Sequence, residues 1–119
     1  MKRMTYTGES AANTEKTHAL GTPGNTEYVD IISLDVSTRG GDVAADASIQ
    51  IKDGAEARWT AYLRSGKEYG KSFSNLGLMK MTDAFTILTD DAGANCIVVV
   101  SCVYNCLTKA EELKLRAII

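Results

Sequence analysis

The stretch ASIQIKDGAEARWTAYL, residues 47–63, decides the class of the fold. Its first half alternates apolar and polar residues, and the alternation resumes after the pair Asp53-Gly54. A period of two is typical of β-strands, and Asp-Gly favours a tight turn because glycine accepts a positive φ without a steric penalty. The stretch therefore predicts a β-hairpin with one apolar face, and Trp59 on that face is expected in the core.

Similar patterns continue on both sides of the hairpin. Strands are predicted at four further places, each bounded by turn residues: Tyr28–Thr38, 67–75, 84–89 and Asn95–Tyr104. Turns are expected at Ser65-Gly66 and at Asn75-Leu76-Gly77, among others. Six or seven strands at this spacing predict an all-β fold, a single small β-sandwich of jelly-roll type over residues 28–106.

Two predicted strands carry a more specific expectation about their faces. In Tyr28–Thr38, the alternation puts Ile32, Leu34 and Val36 on one face. The strand Asn95–Tyr104 is apolar on both faces. Such a strand is either covered on both sides within the fold or has one face buried in an oligomer.

The N-terminal segment, residues 1–27, has little apolar material and no regular period. Its few sizeable apolar side chains include Tyr6 and Leu20, and its charges cancel. A segment of this composition buries too little surface to offset its ordering entropy. We expect either a disordered tail or an extended arm that orders on a partner, with Tyr6 and Leu20 as contacts and a turn at Thr22–Asn25 at its end.

Residues 107–119 predict a short C-terminal helix. Thr108 and Glu111 have the spacing of a capping box, in which each side chain bonds the other residue's amide. Leu115, Ile118 and Ile119 make the end of the chain apolar and are further candidate partner contacts. A helix this short is marginal alone, so it must dock on its own sandwich or on a neighbouring subunit.

Composition argues against several classes of function. Lys and Arg number 13 and Asp and Glu number 15, a balance unlike that of electrostatic nucleic-acid binders. The single imidazole, His18, excludes catalysis by a His pair and a multi-His metal site. No phosphate-binding glycine motif occurs, and no apolar run is long enough for a secretory signal or a membrane span. We expect no enzymatic activity, cofactor, metal or small-molecule substrate, and neither nucleic acid nor a membrane as partner.

Three cysteines, Cys96, Cys102 and Cys106, lie close together in the sequence. Cys96 and Cys102 would be about 20 Å apart along one strand, too far for a disulfide between them. Their spacing also lacks the C-x-x-C pattern of zinc sites. Reduced, buried thiols are the expectation, and an intermolecular disulfide or a reactive thiol is the alternative.

One polar strand face is a candidate binding patch. Arg58, Tyr62 and Arg64 share the face of the second hairpin strand that lies opposite Trp59. The face is either a patch for a sugar or a protein or the ordinary solvent side of the strand.

Several short motifs of the chain resemble small virion proteins of tailed bacteriophages. These are I-x-I-x-x-G-x-x-A at residues 49–57, T-x-x-L at 60–63, Gly77-Leu78, F-x-I-L-T at 85–89 and the valine-rich strand at 97–104. At two turns this chain has Lys67-Glu68 and Asp90-Asp91, where the family has Gly-Thr or Gly-Ser. The resemblance implies a capsid decoration (cement) protein: a non-catalytic β-sandwich, often a homotrimer, bound to the major capsid protein on the virion surface after assembly in the host cytoplasm.

Two other functions remain open on the sequence. One is a carbohydrate- or receptor-binding β-sandwich module, such as a fibre tip, that uses Arg58, Tyr62 and Arg64. The other is a small intracellular adaptor with no role in a virion.

Overall fold

A computed structural model describes residues 2–21, 28–66 and 70–118, without the side chains of residues 75 and 115–118. The described chain forms eight strands followed by one helix. The strands are β1 (Lys2–Glu9), β2 (Lys16–Ala19), β3 (Tyr28–Arg39), β4 (Ala47–Asp53), β5 (Glu56–Leu63), β6 (Gly70–Lys80), β7 (Phe85–Thr89) and β8 (Ile97–Leu107). The helix, α1, is Lys109–Ile118.

The strands form two four-stranded antiparallel sheets, in the orders β1-β8-β3-β6 and β2-β7-β4-β5. The strand pairs are nested: β1 pairs with β8, β2 with β7, β3 with β6, and β4 with β5. This nesting results when one long hairpin is rolled up. Two such sheets, face to face, are the architecture of a jelly roll. The predicted fold class is therefore confirmed. Within the described residues, the sheet edges are β1 and β6 in one sheet and β2 and β5 in the other.

The core lies between the two sheets. Its fully buried members include Leu34, Ile49, Ile51, Ile87 and Tyr104. Trp59, predicted in the core, lies at its margin: the ring is half-buried and packs edge-on against Phe73, with ring centroids 4.9 Å apart. This contact joins β5 of one sheet to β6 of the other, so the aromatic pair closes one side of the sandwich.

A β-bulge changes the predicted face of β3. The register with both β6 and β8 shifts between Ile31 and Ser33. An extra residue in a strand inverts the alternation beyond it. Ile31 is therefore buried together with Leu34, while Ile32 is only half-buried. The prediction that Ile32 shares the core face with Leu34 is wrong for this reason.

The N-terminal segment is part of the sandwich, so the prediction of an arm over residues 1–27 is wrong for residues 2–21. Residues 2–9 form β1 and pair with β8 throughout, from Lys2 with Cys106 to Glu9 with Val99. Residues 16–19 form β2 and pair with β7. Neighbouring strands supply the hydrogen bonds and apolar surface that the segment cannot supply alone. The predicted turn at Thr22–Asn25 lies outside the described residues.

The capping box of α1 is confirmed. The Thr108 amide donates to Glu111 Oε1 at 3.2 Å, and the Glu111 amide donates to Thr108 Oγ1 at 3.3 Å. The helix follows β8 directly and contacts it. By contrast, the predicted turn at Asn75-Leu76-Gly77 is wrong: β6 runs through it, and Gly77, with a φ of +91°, lies where the register with β3 shifts.

The outer face of β8 is half-buried at Ile97, Val99 and Val103, while its inner face is buried. β8 lies between β1 and β3, so neighbouring side chains partly shield its outer apolar residues. The outer face of β8 is thus only partly covered within one chain, and its burial in an oligomer stays a prediction.

Candidate functional site

Tyr62 and Arg64 form an exposed pair at the end of β5. The Tyr62 side chain is 52% exposed, and the Arg64 guanidinium lies 5.5 Å from the centre of its ring. Arg64 also forms an exposed ion pair with Asp46 at 3.1 Å. The backbone amide of Ser65 donates to the same carboxylate, which holds the end of β5 against the start of β4. Hydrogen bonds from Ser65 and Arg64 lower the pKa of Asp46.

Arg58 does not belong to this pair. A bulge between Ile51 and Lys52 in the β4·β5 register leaves Arg58 as the extra residue of β5. Its guanidinium bonds the buried Asp53 carboxylate at 3.0 Å and the exposed Glu56 carboxylate at 3.4 Å. The predicted patch of three residues is therefore divided, because the bulge directs Arg58 to the end of the sandwich.

Asp53 is the centre of a polar network at that end. Its side chain is only 1% exposed and accepts hydrogen bonds from the Thr82 amide, the Thr82 hydroxyl and the Asp83 amide, besides the ion pair with Arg58. Burial raises the pKa of Asp53, but the hydrogen bonds from Thr82, Arg58 and Asp83 outweigh it and lower the pKa to about 2. The carboxylate therefore ties the β4–β5 hairpin to the turn before β7.

A second network surrounds His18, which is 1% exposed. Nδ1 is 2.8 Å from the Tyr6 hydroxyl, and Nε2 is 3.1 Å from Thr89 Oγ1, which is 3.4 Å from the Lys16 carbonyl oxygen. A neutral ring satisfies every contact when Tyr6 donates to Nδ1 and Nε2–H donates to Thr89. Burial, and secondarily the charge of Lys16, lowers the pKa of His18. The network joins β1, β2 and β7, and hence the two sheets.

No sequence pattern indicated the His18 network, since the residue lies in a segment without periodicity. A partial signal was available in β1, where Met4, Tyr6 and Gly8 alternate with polar residues and all three are half-buried. Gly8 has no side chain because the Tyr6 ring occupies the space beside it. The Tyr6 side chain thus contributes to the sandwich through its hydrogen bond with His18, and it is also half-exposed. Leu20 is buried in the core, so the prediction that it contacts a partner is wrong.

The C-terminal candidates are only partly described. Leu115 and Ile118 lie in α1, and their side chains are outside the described part of the structure, as is Ile119 altogether. In the described part of the helix, Glu112 is buried, while Leu113 is 57% exposed. The choice between docking on the sandwich and docking on a neighbour stays a prediction for these three residues.

The three cysteines are buried and form no disulfide within the described residues, as expected. Burial, and secondarily the charge of Asp35, raises the pKa of Cys102 to about 12. A thiol with such a pKa is almost never ionised near neutral pH, and the thiolate is the reactive form. Cys102 therefore acts as a small apolar side chain in the core.

Over residues 2–21, 28–66 and 70–118, no group of three or more His, Cys, Asp or Glu side chains is arranged to hold a metal ion. In that same part of the chain, no helix combines the length and the apolar character that crossing a membrane requires.

The fold has counterparts among solved structures. No model of a protein family matches the sequence, and no curated protein does. Among solved structures, the fold is similar to the coat protein of Tobacco streak virus, with a TM-score of 0.42 and 10% sequence identity over 87% of this chain and 85% of that one. The jelly-roll assignment itself follows from the strand order of this chain, independently of that likeness.

Proposed function

We propose that this protein is a non-enzymatic structural component of a virus particle. In the proposal it decorates and stabilises the capsid shell of a tailed phage as a homo-oligomer bound to the major capsid protein. The observation that supports this proposal most directly is the strand order of the two sheets, β1-β8-β3-β6 and β2-β7-β4-β5. This jelly-roll arrangement is one that viral capsid domains use. The sequence resemblance to phage virion proteins supports the same class and implies a trimer.

The buried polar groups support a structural role. Asp53 and His18 each bond to residues of neighbouring elements, with the Asp53 carboxylate holding a turn and the His18 ring holding two sheets. Every described buried side-chain nitrogen and oxygen has a hydrogen-bond partner within the protein. Buried groups that are satisfied in this way rigidify a fold. Rigidity is what a shell component needs to hold its neighbours at fixed distances.

A shell-binding experiment tests the proposal. Purified protein is mixed with phage shells that lack their decoration protein, and the shells are sedimented. We expect saturable binding at a fixed ratio to the major capsid protein and a higher melting temperature of the decorated shells. Failure to bind any shell over a panel of phages, at concentrations up to about 100 µM, would contradict the proposal.

A second candidate function rests on Tyr62. An exposed aromatic ring on a strand is a common platform for sugars and peptides, since it offers a large apolar surface at small entropic cost. The alternative is therefore a carbohydrate- or receptor-binding module such as a fibre tip. A glycan array distinguishes the two, with Tyr62→Ala as the binding variant and Thr60→Ala, an exposed position on the same strand, as its matched control. Glycan binding that only Tyr62→Ala removes would favour the alternative.

A further inference from the structure

The four sheet edges differ in how well they are protected from pairing with another chain. Proteins protect edges by keeping them short, by bulges or by irregular backbone. β2 has only four residues, β5 carries the bulge at Arg58, and β6 is irregular around Gly77. β1 has eight residues and pairs with β8 without any register shift. Charged side chains also protect edges, and at β1 the Lys16 ammonium donates to the Glu9 carbonyl oxygen. β1 is therefore the longest regular edge of the described structure, with charged side chains as its protection.

The backbone of β1 shows which residues face the open edge. The Ser10 amide donates to the Val98 carbonyl at 2.9 Å, which continues the β1·β8 ladder. In an antiparallel ladder, residues whose amide and carbonyl point toward the neighbour alternate with residues whose groups point away. By this alternation the even-numbered residues bond β8. The odd-numbered residues Arg3, Thr5, Thr7 and Glu9 direct their backbone groups to the open edge.

The same four residues occupy the outer face of the sheet and are exposed. An antiparallel pairing of β1 with β1 of a second copy, with the two-fold axis at Tyr6, places Arg3 opposite Glu9 and Thr5 opposite Thr7. Opposite charges and threonine pairs stabilise antiparallel strands when they face each other directly. Because the axis repeats each pair, the strand is complementary to itself in both charge and polarity.

The contacts that these side chains already make leave room for the pairing. Arg3 uses Nε for Asn105 at 3.2 Å, and within the described residues its two terminal amino groups have no ion-pair partner, so they can bond a carboxylate. Glu9 pairs with Arg39, but both side chains are more than half exposed. The Lys16 ammonium donates to the Glu9 carbonyl oxygen at 3.0 Å, and a carbonyl oxygen accepts a second hydrogen bond.

We propose that β1 is a self-association surface, at which two copies of this chain join through antiparallel pairing of residues 3–9 across a two-fold axis. The pairing makes one continuous eight-stranded sheet, β6-β3-β8-β1 followed by the same strands of the second copy in reverse. Such an interface is isologous and gives a closed dimer. The inference is independent of the proposed function, since an adaptor without a shell would dimerise in the same way. It predicts a dimer in solution where the phage resemblance implies a trimer.

Charge reversal tests the side-chain pairs. Arg3→Glu or Glu9→Arg alone places like charges opposite each other twice in the dimer, and we expect a dimer Kd raised about tenfold or more. The double variant restores opposite charges across the axis and should return the Kd to within about threefold of the unaltered protein. In the double variant, the native contacts from Arg39 to Glu9 and from Arg3 to Asn105 are still missing. Contacts within one chain therefore cannot explain a recovery of the dimer Kd.

A backbone variant tests the hydrogen bonds independently. Thr7→Pro removes an amide that faces the open edge and leaves the ladder to β8 intact, whereas the control Thr7→Ala keeps the amide. We expect Thr7→Pro to give monomers and Thr7→Ala to stay dimeric. Circular dichroism confirms that each variant is folded. In the unaltered protein, the Thr5 and Thr7 amides should exchange with solvent more slowly as the protein concentration rises.

Analytical ultracentrifugation at protein concentrations from about 1 to 100 µM measures the mass of the unaltered protein and of each variant. The proposal is supported by a mass that rises with concentration to near twice 12.8 kDa. It also requires weaker dimers in the single charge variants, recovery in the double variant and monomers in Thr7→Pro. A monomer at every concentration overturns it. So does a dimer or trimer whose mass none of these variants changes, because another surface would then hold the copies together. Shell binding by a protein that remains monomeric would overturn the β1 contact and leave the shell-binding part of the proposed function intact.

Discussion

At the scale of single residues, the buried Asp53 carboxylate is the most consequential polar group of the sandwich. Asp53→Ala leaves the Thr82 and Asp83 amides and the Arg58 guanidinium without their acceptor. These donors are only partly buried, so water can replace the carboxylate in part, and we expect a loss of about 1 to 2 kcal/mol in the free energy of unfolding. Asp46→Ala, which removes an exposed carboxylate, should lower the stability much less. Urea denaturation at pH 7 compares the two variants.

The low pKa of Asp53 also sets a pH dependence. A carboxylate whose pKa is lower in the folded chain than in the unfolded chain stabilises the fold at all pH values above its unfolded pKa, near 4. With a folded pKa of about 2, this contribution should be lost as the pH falls from about 4 to 2. The difference in stability between the unaltered protein and Asp53→Ala should therefore shrink across this range. A constant difference from pH 5 to pH 2 would contradict the assignment.

His18 should govern stability in a different pH range. Its pKa is lowered in the folded chain, so the unfolded chain binds a proton more readily. The fold is thus fully stabilised above the ordinary pKa of about 6.5 and loses stability as the pH falls below it. His18 is the only histidine, and carboxylates titrate mainly below pH 5. Between pH 7 and pH 5, the melting temperature should fall in the unaltered protein and change much less in His18→Gln.

At the scale of secondary-structure elements, the first two strands reverse an expectation from the sequence. If residues 1–27 were a separate arm, as the sequence predicts, removing them would leave the fold intact, because an arm contributes nothing to the core. In the structure, the deletion takes away β1 and β2, and with them Leu20 and the ring of His18 from between the sheets. We expect the truncated chain to be unfolded or aggregated. A truncated chain with the far-ultraviolet spectrum and cooperative melting of a β-sandwich would contradict this.

The contrast between predicted and missed elements has a physical basis. The β4–β5 hairpin and the capping box at Thr108 were predictable because each depends on residues close together in the sequence. β1 and β2 were not, because edge strands are half-solvated and keep few apolar residues, here Met4 and Tyr6 in eight positions of β1. The bulge beside Ile32 does leave a mark in the sequence, because the apolar alternation changes phase at the adjacent pair Ile31-Ile32. Either isoleucine could continue the alternation, so the pattern alone did not identify the buried one.

At the scale of the whole molecule, the sheet order depends on contacts that no local pattern encodes. Lys2 pairs with Cys106 and Tyr28 with Leu107, so the first sheet is complete only when both ends of the chain have met. The candidate surfaces, the Tyr62 and Arg64 pair and the edge strand β1, were likewise not encoded in a local sequence pattern. A bulge in β5 separates Arg58 from Tyr62, although the two residues share a face in the sequence pattern. Only the strand order reveals that β1 is an open edge.

The same topology predicts slow folding. Folding rates fall as contacting residues lie farther apart in the sequence, because loop closure precedes the contacts that reward it, and β-sandwiches fold in milliseconds to seconds. Trp59, the single tryptophan, reports the event directly, since its ring meets Phe73 across the two sheets. After dilution from urea, its fluorescence should recover with a time constant of about 10 ms to several seconds. Phe73→Leu is the matched variant: it should change the fluorescence of the folded state and keep the slow phase, because the strand pairings that limit the rate are unaltered. Recovery within microseconds would mean that local contacts, rather than the pairing of the two chain ends, limit the formation of the sandwich.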